Sequence, residues 1–173
     1  MNASLVLTLI GPNTTGIVFR MAQIVGAHDG NWLGARMANL AGQFAGIVHL
    51  ELPEANVERF TEEVRQLEAT GMRFLVARGD LSQSAAHPDL LHLELLGQDH
   101  PGIVRDVAGA LAERGVSIEQ LVTDRVSGAF SGEAMFKAVA QVRVPDNAVI
   151  PRLRAALESV AQEVMVDLTL ESR

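Results

Sequence analysis

The chain reads as an α+β protein: two tandem strand-helix-strand-strand-helix-strand units, residues 1–79 and 89–173, joined by a linker at 80–88. Three observations predict this. A turn occurs twice, "GPNTTGIV" at 11–18 and "GQDHPGIV" at 97–104, and Gly11 and Gly16 match Gly97 and Gly102 at one offset of 86 residues. Internal duplication explains a constant offset more simply than chance. The hydrophobic period then changes from two to helical across each turn. The same punctuation follows in both halves: a glycine after the first helix and a proline after the third strand.

Taken in order, Leu5, Leu7 and Leu9 alternate, which makes a strand with one buried face. Ile17, Met21, Ile24 and Val25 recur at helical spacing, and "HDGNW" closes that helix with Gly30 expected in the left-handed conformation. Residues 31–39 and 42–52 form a strand pair around "LAGQ", stopped by Pro53. A helix over 54–70 carries Val57, Phe60, Val64 and Leu67 on one stripe, with Glu62 and Glu63 on its solvated face. Residues 72–79 close the unit. The second half repeats the plan with Leu91, Leu93 and Leu95, then Ile103, Val107, Ala110 and Leu111, then the Gly115 stop. Phe136, Ala138, Ala140, Val142 and Val144 share a strand face that ends at Pro145. Ile150, Leu153, Leu157 and Val160 mark the second helix; Val164, Val166, Leu168 and Leu170 face inward on the last strand. This order is the ferredoxin-like βαββαβ unit, with both helices on one face of an antiparallel sheet. The second half adds "DRVSGAFSGEA", 124–134, expected as a Gly- and Ser-rich loop able to cover a site. The sheets are expected to associate edge to edge or face to face, since each leaves edges and a second face to protect, with Val6, Thr8 and Ile10 on it.

Composition narrows the function. At 48% hydrophobic residues the chain supports a core, and disorder is excluded as its general state. A net charge of -7 and a pI near 5.2, with no basic cluster, argue against direct nucleic-acid binding. The apolar runs fall short of the ~20 residues of a membrane span. The opening "MNASLVLTLIGP" lacks the charged start and the length of a secretory signal. There is no cysteine, which removes thiol chemistry and suits a cytoplasmic location. Ser82, Ser84 and Ser131 have no companion base, so no catalytic triad is expected. His87, His92, His100 and Asp99 lack metal-site spacing. No catalytic residue, metal or cofactor is assigned, and the chain is not expected to be an enzyme.

Two βαββαβ halves, each with a "D-x-P-G-I-V"-like turn after the first strand, resemble tandem ACT domains. "GQDHPGIV" matches that turn well; "GPNTTGIV" keeps both glycines and the Ile-Val pair but lacks the acid and the proline. "GNWLGARMANLAGQFAGIV", 30–48, is similar to the first-domain segment of the glycine cleavage system repressor group within that family. The resemblance covers nearly the whole chain. It implies regulatory binding of a small amino acid such as glycine, held near the turn at a domain interface. It also implies a transcriptional activator protein as partner, and a homo-oligomer.

The turns make physical sense as ligand sites on their own. The first amides of a helix lack intrahelical partners, and the helix dipole adds partial positive charge, so a carboxylate fits there. The candidate residues are Gly11, Asn13, Thr14, Thr15, Gly16 and Ile17 in the first turn. In the second they are Gly97, Asp99, His100, Pro101, Gly102 and Ile103. Gly16 and Gly102 let a ligand approach the backbone. Pro101 suits a first helical turn, Asp99 or His100 can cap it, and Asp99 can receive an ammonium group. Asn31 is added because the second strand is expected to start beside the first turn. His28 is expected as a dipole partner at a helix end, and Trp32 as a core residue. The competing explanation is that both turns are only tight connectors. Two other functions stay open: a ligand-free ACT-type dimerisation module, and a regulatory subunit of an enzyme of amino-acid metabolism.

Overall fold

A computed structural model describes residues 1–79, 90–127, 134–146, 149–163 and 166–172. It separates into two compact units, Met1–Ala85 and Ala86–Arg173. The expected linker at 80–88, with Ser82, Ser84 and His87, lies outside the described residues, as do Ser131, Val164 and Met165.

In the first unit, β1 (Asn2–Pro12) leads to α1 (Ile17–Ala27), β2 (Asn31–Leu40), β3 (Gln43–Pro53), α2 (Val57–Gln66) and β4 (Arg73–Arg78). Short 3-10 turns at Glu54–Asn56 and Leu67–Thr70 flank α2, so the expected helix over 54–70 is regular only in its middle. The second unit repeats the order with β5 (Leu90–Gln98), α3 (Ile103–Ala112), β6 (Ser117–Ser127), β7 (Ala134–Arg143), α4 (Ile150–Glu163) and β8 (Val166–Ser172). The sheets run β2-β3-β1-β4 and β6-β7-β5-β8, and every pairing is antiparallel.

Period two puts Leu5, Leu7 and Leu9 on one face of the central strand, where all three are buried with Val48, Leu50, Met21, Phe60 and Val64. In the second unit Leu91, Leu93 and Leu95 pack likewise with Val107, Leu111, Val142, Leu153 and Leu157. Each such leucine contributes about 1.5–3 kcal/mol by leaving water. Among the described residues, none belongs to both core clusters. Trp32 is half-buried against the first core.

Several expectations are corrected. Gly115 is left-handed at φ 67, but at the first helix end that conformation belongs to Asp29, φ 55. Gly30 is required for space instead: a Cβ there would come within 2.8 Å of the Val25 carbonyl oxygen and 2.9 Å of its side chain. Glu63 is not simply solvated, since its Oε2 sits 2.7 Å from Nε2 of His28. Residues 124–127 are not loop: they extend β6, with Asp124 opposite Lys137 and Ser127 opposite Ala134. Ala134, the other end of the expected loop, starts β7, and residues 128–133 between them lie outside the described residues.

The duplication reaches finer detail than periodicity shows. Both second strands carry a bulge at the same place, between Trp32 and Gly34 and between Ile118 and Gln120. One residue, Leu33 or Glu119, is thereby left out of register.

Candidate functional site

The first turn is an exposed connector between two buried glycine and isoleucine anchors, Gly11 and Ile17. Gly11 is small for a structural reason. A Cβ on it would come within 2.6 Å of the Met72 sulfur and 2.8 Å of the Met72 Cα, because the chain enters β4 directly against it. Asn13 N–H donates to the Gly42 carbonyl at 3.4 Å, and Thr14 Oγ1 donates to the Pro12 carbonyl at 3.2 Å. Thr15 is exposed. Gly16 precedes α1 at φ 86, with open space where a Cβ would be. No side chain caps α1, and no acid lies in its first turn. Ile17 N–H donates to the Thr14 carbonyl at 3.4 Å, and a helix start with no side-chain cap and no acid beside it is an arrangement suited to an anion.

The second turn has the same backbone and different chemistry. Gly97 is buried opposite Phe136, Ile103 is buried, and Gly102 is left-handed at φ 102. Two expectations fail here, and Asp99 already has a partner. Neither Asp99 nor His100 caps α3, whose N-cap is the uncapped Gly102. Pro101 precedes that N-cap, so it lies outside the first helical turn. Asp99 is not an open acceptor: its Oδ2 sits 2.7 Å from Nε of Arg125 on β6. The amide of Asp99 donates to the Ala134 carbonyl at 3.0 Å, which fixes the turn against β7. His100 Nδ1 lies 3.1 Å from the Pro101 carbonyl oxygen.

The start of α3 also holds its own carboxylate. Asp106 lies in the first turn, and Nε of Arg105 donates to its Oδ1 at 2.7 Å. The Arg105 hydrogen bond holds the Asp106 carboxyl below its ordinary range, and His100 adds to this through its charge. An external anion at α3 meets the Arg105–Asp106 ion pair, whereas the first turn of α1 carries no acid.

Asn31 is displaced from the first turn. β2 runs in the same direction as β1, so Asn31 pairs with Glu51, which in turn faces Ser4 near the start of β1. The turn follows the other end of β1, roughly 25 Å away at ~3.3 Å per residue. The residue that returns to the turn is at the far end of β2, where Asn39 lies opposite Phe44 and Phe44 opposite Gly11.

Sequence reasoning missed Arg125 and an apolar cleft beside it. The cleft, about 30 Å³, opens between α3 and the edge strand β6 and is walled by Val104, Ala108, Ile118, Leu121, Thr123 and Phe136. The signal was present, since Leu121, Thr123 and Arg125 alternate on the helix-facing side of β6. It was hidden by assigning residues from 124 onward to a loop.

Two models of the ACT domain match the chain, over residues 3–74 and 92–162. The chain belongs to the ACT-domain family, with two ferredoxin-like ACT domains in tandem. Among solved structures it is similar to an unknown protein from Galdieria sulphuraria, at 27% identity and a TM-score of 0.86, covering 100% of this chain and 99% of that one. It also shares its fold with a candidate glycine cleavage system transcriptional repressor, at 16% identity and a TM-score of 0.73, covering 100% of this chain and 98% of the other. No curated protein matches the sequence. Among the described residues no helix is long and apolar enough to cross a membrane.

Proposed function

We propose that the protein is a non-catalytic, cytoplasmic regulator that binds a small amino acid, glycine or one of similar size, at its ACT-domain turns. In this reading it controls transcription of the glycine cleavage system through contact with an activator protein, without touching DNA, and works as a homo-oligomer. The observation that carries it is the start of α1: an exposed turn, a left-handed Gly16, no side-chain cap and no acid in the first helical turn. That arrangement leaves backbone donors and the positive end of a helix dipole to a carboxylate. The acidic overall balance, -7, fits a protein partner better than a phosphate backbone. The similarity in fold to the candidate repressor supports the choice of pathway.

Isothermal titration with glycine, serine, leucine, isoleucine and valine tests the ligand. Saturable heat with at least one of them is expected, and loss of the glycine signal in Gly16→Val. No heat with any of the five would overturn the sensor and leave the ligand-free dimerisation module, which the exposed Ile10, Ile47 and Leu75 on the uncovered face of the first sheet favour.

A further inference from the structure

We propose that the sheet faces opposite the helices are docking surfaces for a second copy of this chain. The basic face of the first domain takes the acidic face of the second domain of the other copy, and the other copy does the same in return. This rests on the homo-oligomer part of the reading above, gives it a surface, and requires no amino-acid ligand.

Alternation puts Thr8 at the centre of the first face, between Ile47 on β3 and Leu75 on β4. Ile10 lies beside it, between Ala45 and Arg73, and Arg36 on the outer strand pairs with Ile47. Ile10, Ile47 and Leu75 are exposed, so this is apolar surface held in water until something covers it. Arg36 and Arg73 are exposed as well, and neither forms an ion pair among the described residues. Glu51, toward the end of β3, is the one carboxylate among the strand residues of that face. Unpaired guanidinium groups on an apolar field, in a chain of net charge -7, fit an acidic partner surface.

The duplicated positions of the second domain carry the opposite sign. By strand register, Glu94 stands where the first domain has Thr8, and Asp167 where it has Arg73. Asp124 takes the place of Ala38, and Glu171 that of Ala77. Leu96, Val122 and Val139 keep the middle of this face apolar. Lys137 lies opposite Asp124, and Arg143 at the strand end is held by Glu119 at 3.0 Å. The backbone was copied and the charge of its bare face reversed.

Like faces suit each other poorly. Two first faces would set arginine against arginine, and two second faces would set carboxylate against carboxylate. Opposite faces satisfy both, and two copies then close on each other with no face left over. Each four-stranded face is about 19 Å wide at ~4.8 Å per strand and about 20 Å long from Ser4 to Ile10. Two contacts therefore cover roughly 1,500 Å² in total, the size of a stable interface.

Size-exclusion chromatography with light scattering tests this on the full chain. The parent is expected at twice the 18.6 kDa of one chain. Two charge-reversed variants are compared with it, Arg36→Glu with Arg73→Glu, and Asp124→Lys with Asp167→Lys. Each should dissociate at least about a hundredfold more readily, because both of its contacts then join like charges. The second variant brings the net charge of -7 nearer zero, so general repulsion alone would tighten its dimer instead. Mixed in equal amounts, the two variants should recover the parent's mass, since every basic face again meets an acidic one. All four positions are exposed, so both should melt like the parent. Should a reversed variant unfold, the milder Arg36→Gln with Arg73→Gln keeps the test open: its dimer should weaken about tenfold and lose much of its salt dependence. Variants that dimerise as the parent does, or a mixture that stays at the mass of one chain, would overturn this proposal and leave the homo-oligomer reading standing. A parent that is monomeric at every concentration would overturn both.

Discussion

Nε2 of His28, the residue that ends α1, lies 2.7 Å from Oε2 of Glu63 in the middle of α2, and its ring meets Phe60 edge-on at 5.9 Å and 84°. The His28 carbonyl also accepts from Nδ2 of Asn56 at 2.9 Å. One residue thus joins the two helices of the first domain through a polar contact, an aromatic contact and its backbone. Its side chain is only 13% exposed. We expect His28→Ala to destabilise the first domain by about 1–3 kcal/mol, chiefly through lost packing on Phe60 and an unpartnered Glu63. Glu63→Gln should cost under about 1 kcal/mol, because that end of the pair is half exposed. Urea unfolding followed by far-ultraviolet circular dichroism separates the two. Equal losses would mean that the polar contact and not the ring holds the helices.

Gly11→Ala and Gly16→Ala probe two kinds of glycine. At Gly11 the obstacle is the Met72 backbone and sulfur, so the loss should reach about 1–3 kcal/mol from overpacking. At Gly16 space is open and only the positive φ is strained, so about 1–2 kcal/mol is expected. The distinction is sharper in binding: Gly16→Ala should weaken glycine, whereas Gly11→Ala should lower the melting temperature without changing affinity once folded. A Gly11→Ala protein that melts like the parent would refute the packing explanation.

Acid should loosen the tie between β4 and the turn after β3. The Arg78 guanidinium bonds Glu54 and holds its carboxyl below the ordinary range. A depressed folded pKa means the stabilisation is present at neutral pH and is lost as pH falls through the folded value, below the ordinary glutamate range. The parent should therefore lose more stability than Glu54→Gln between pH 7 and pH 3. Both side chains are exposed, at 62% and 50%, so the difference should be small and should shrink further in high salt. Parallel curves for the two proteins would rule the contribution out.

The uncovered face of the first sheet predicts self-association. Ile10, Ile47 and Leu75 are all exposed on it, with Leu75 opposite Thr8 and Ile47 opposite Thr8 from the other side. Leu75→Glu is expected to shift the protein to a smaller species in light scattering while leaving its melting temperature within a few degrees. An unchanged mass would place the contact elsewhere.

How far the sequence carried this can be judged from single residues. Leu5, Leu7 and Leu9 announced a half-buried strand because alternation records one face, and the repeated turn announced the duplication. Helix ends were less legible. An Asp at φ 55 beside a Gly that needs room looks, in one dimension, like the Gly taking the turn. The site was harder again. Asp99 reads as a free acid until β6 is known to bring Arg125 beside it, and those residues are 26 positions apart. Asn31 failed for a topological reason: "after the first helix" places a residue in sequence, whereas the direction of β2 decides which end of the sheet it occupies.

The separation of the two cores has a consequence for how the protein is made. Among the described residues, the last side chain packed on the first core is Val76, which precedes β5 in sequence. At about 5–20 residues per second, synthesis of the remainder takes several seconds, against milliseconds to seconds for a small mixed domain to fold. The first domain can therefore be native while its duplicate is still being built. Two sequences this alike, with leucines at the same strand positions, would otherwise have ample opportunity to exchange strands. Staggered birth keeps each set of leucines with its own helices.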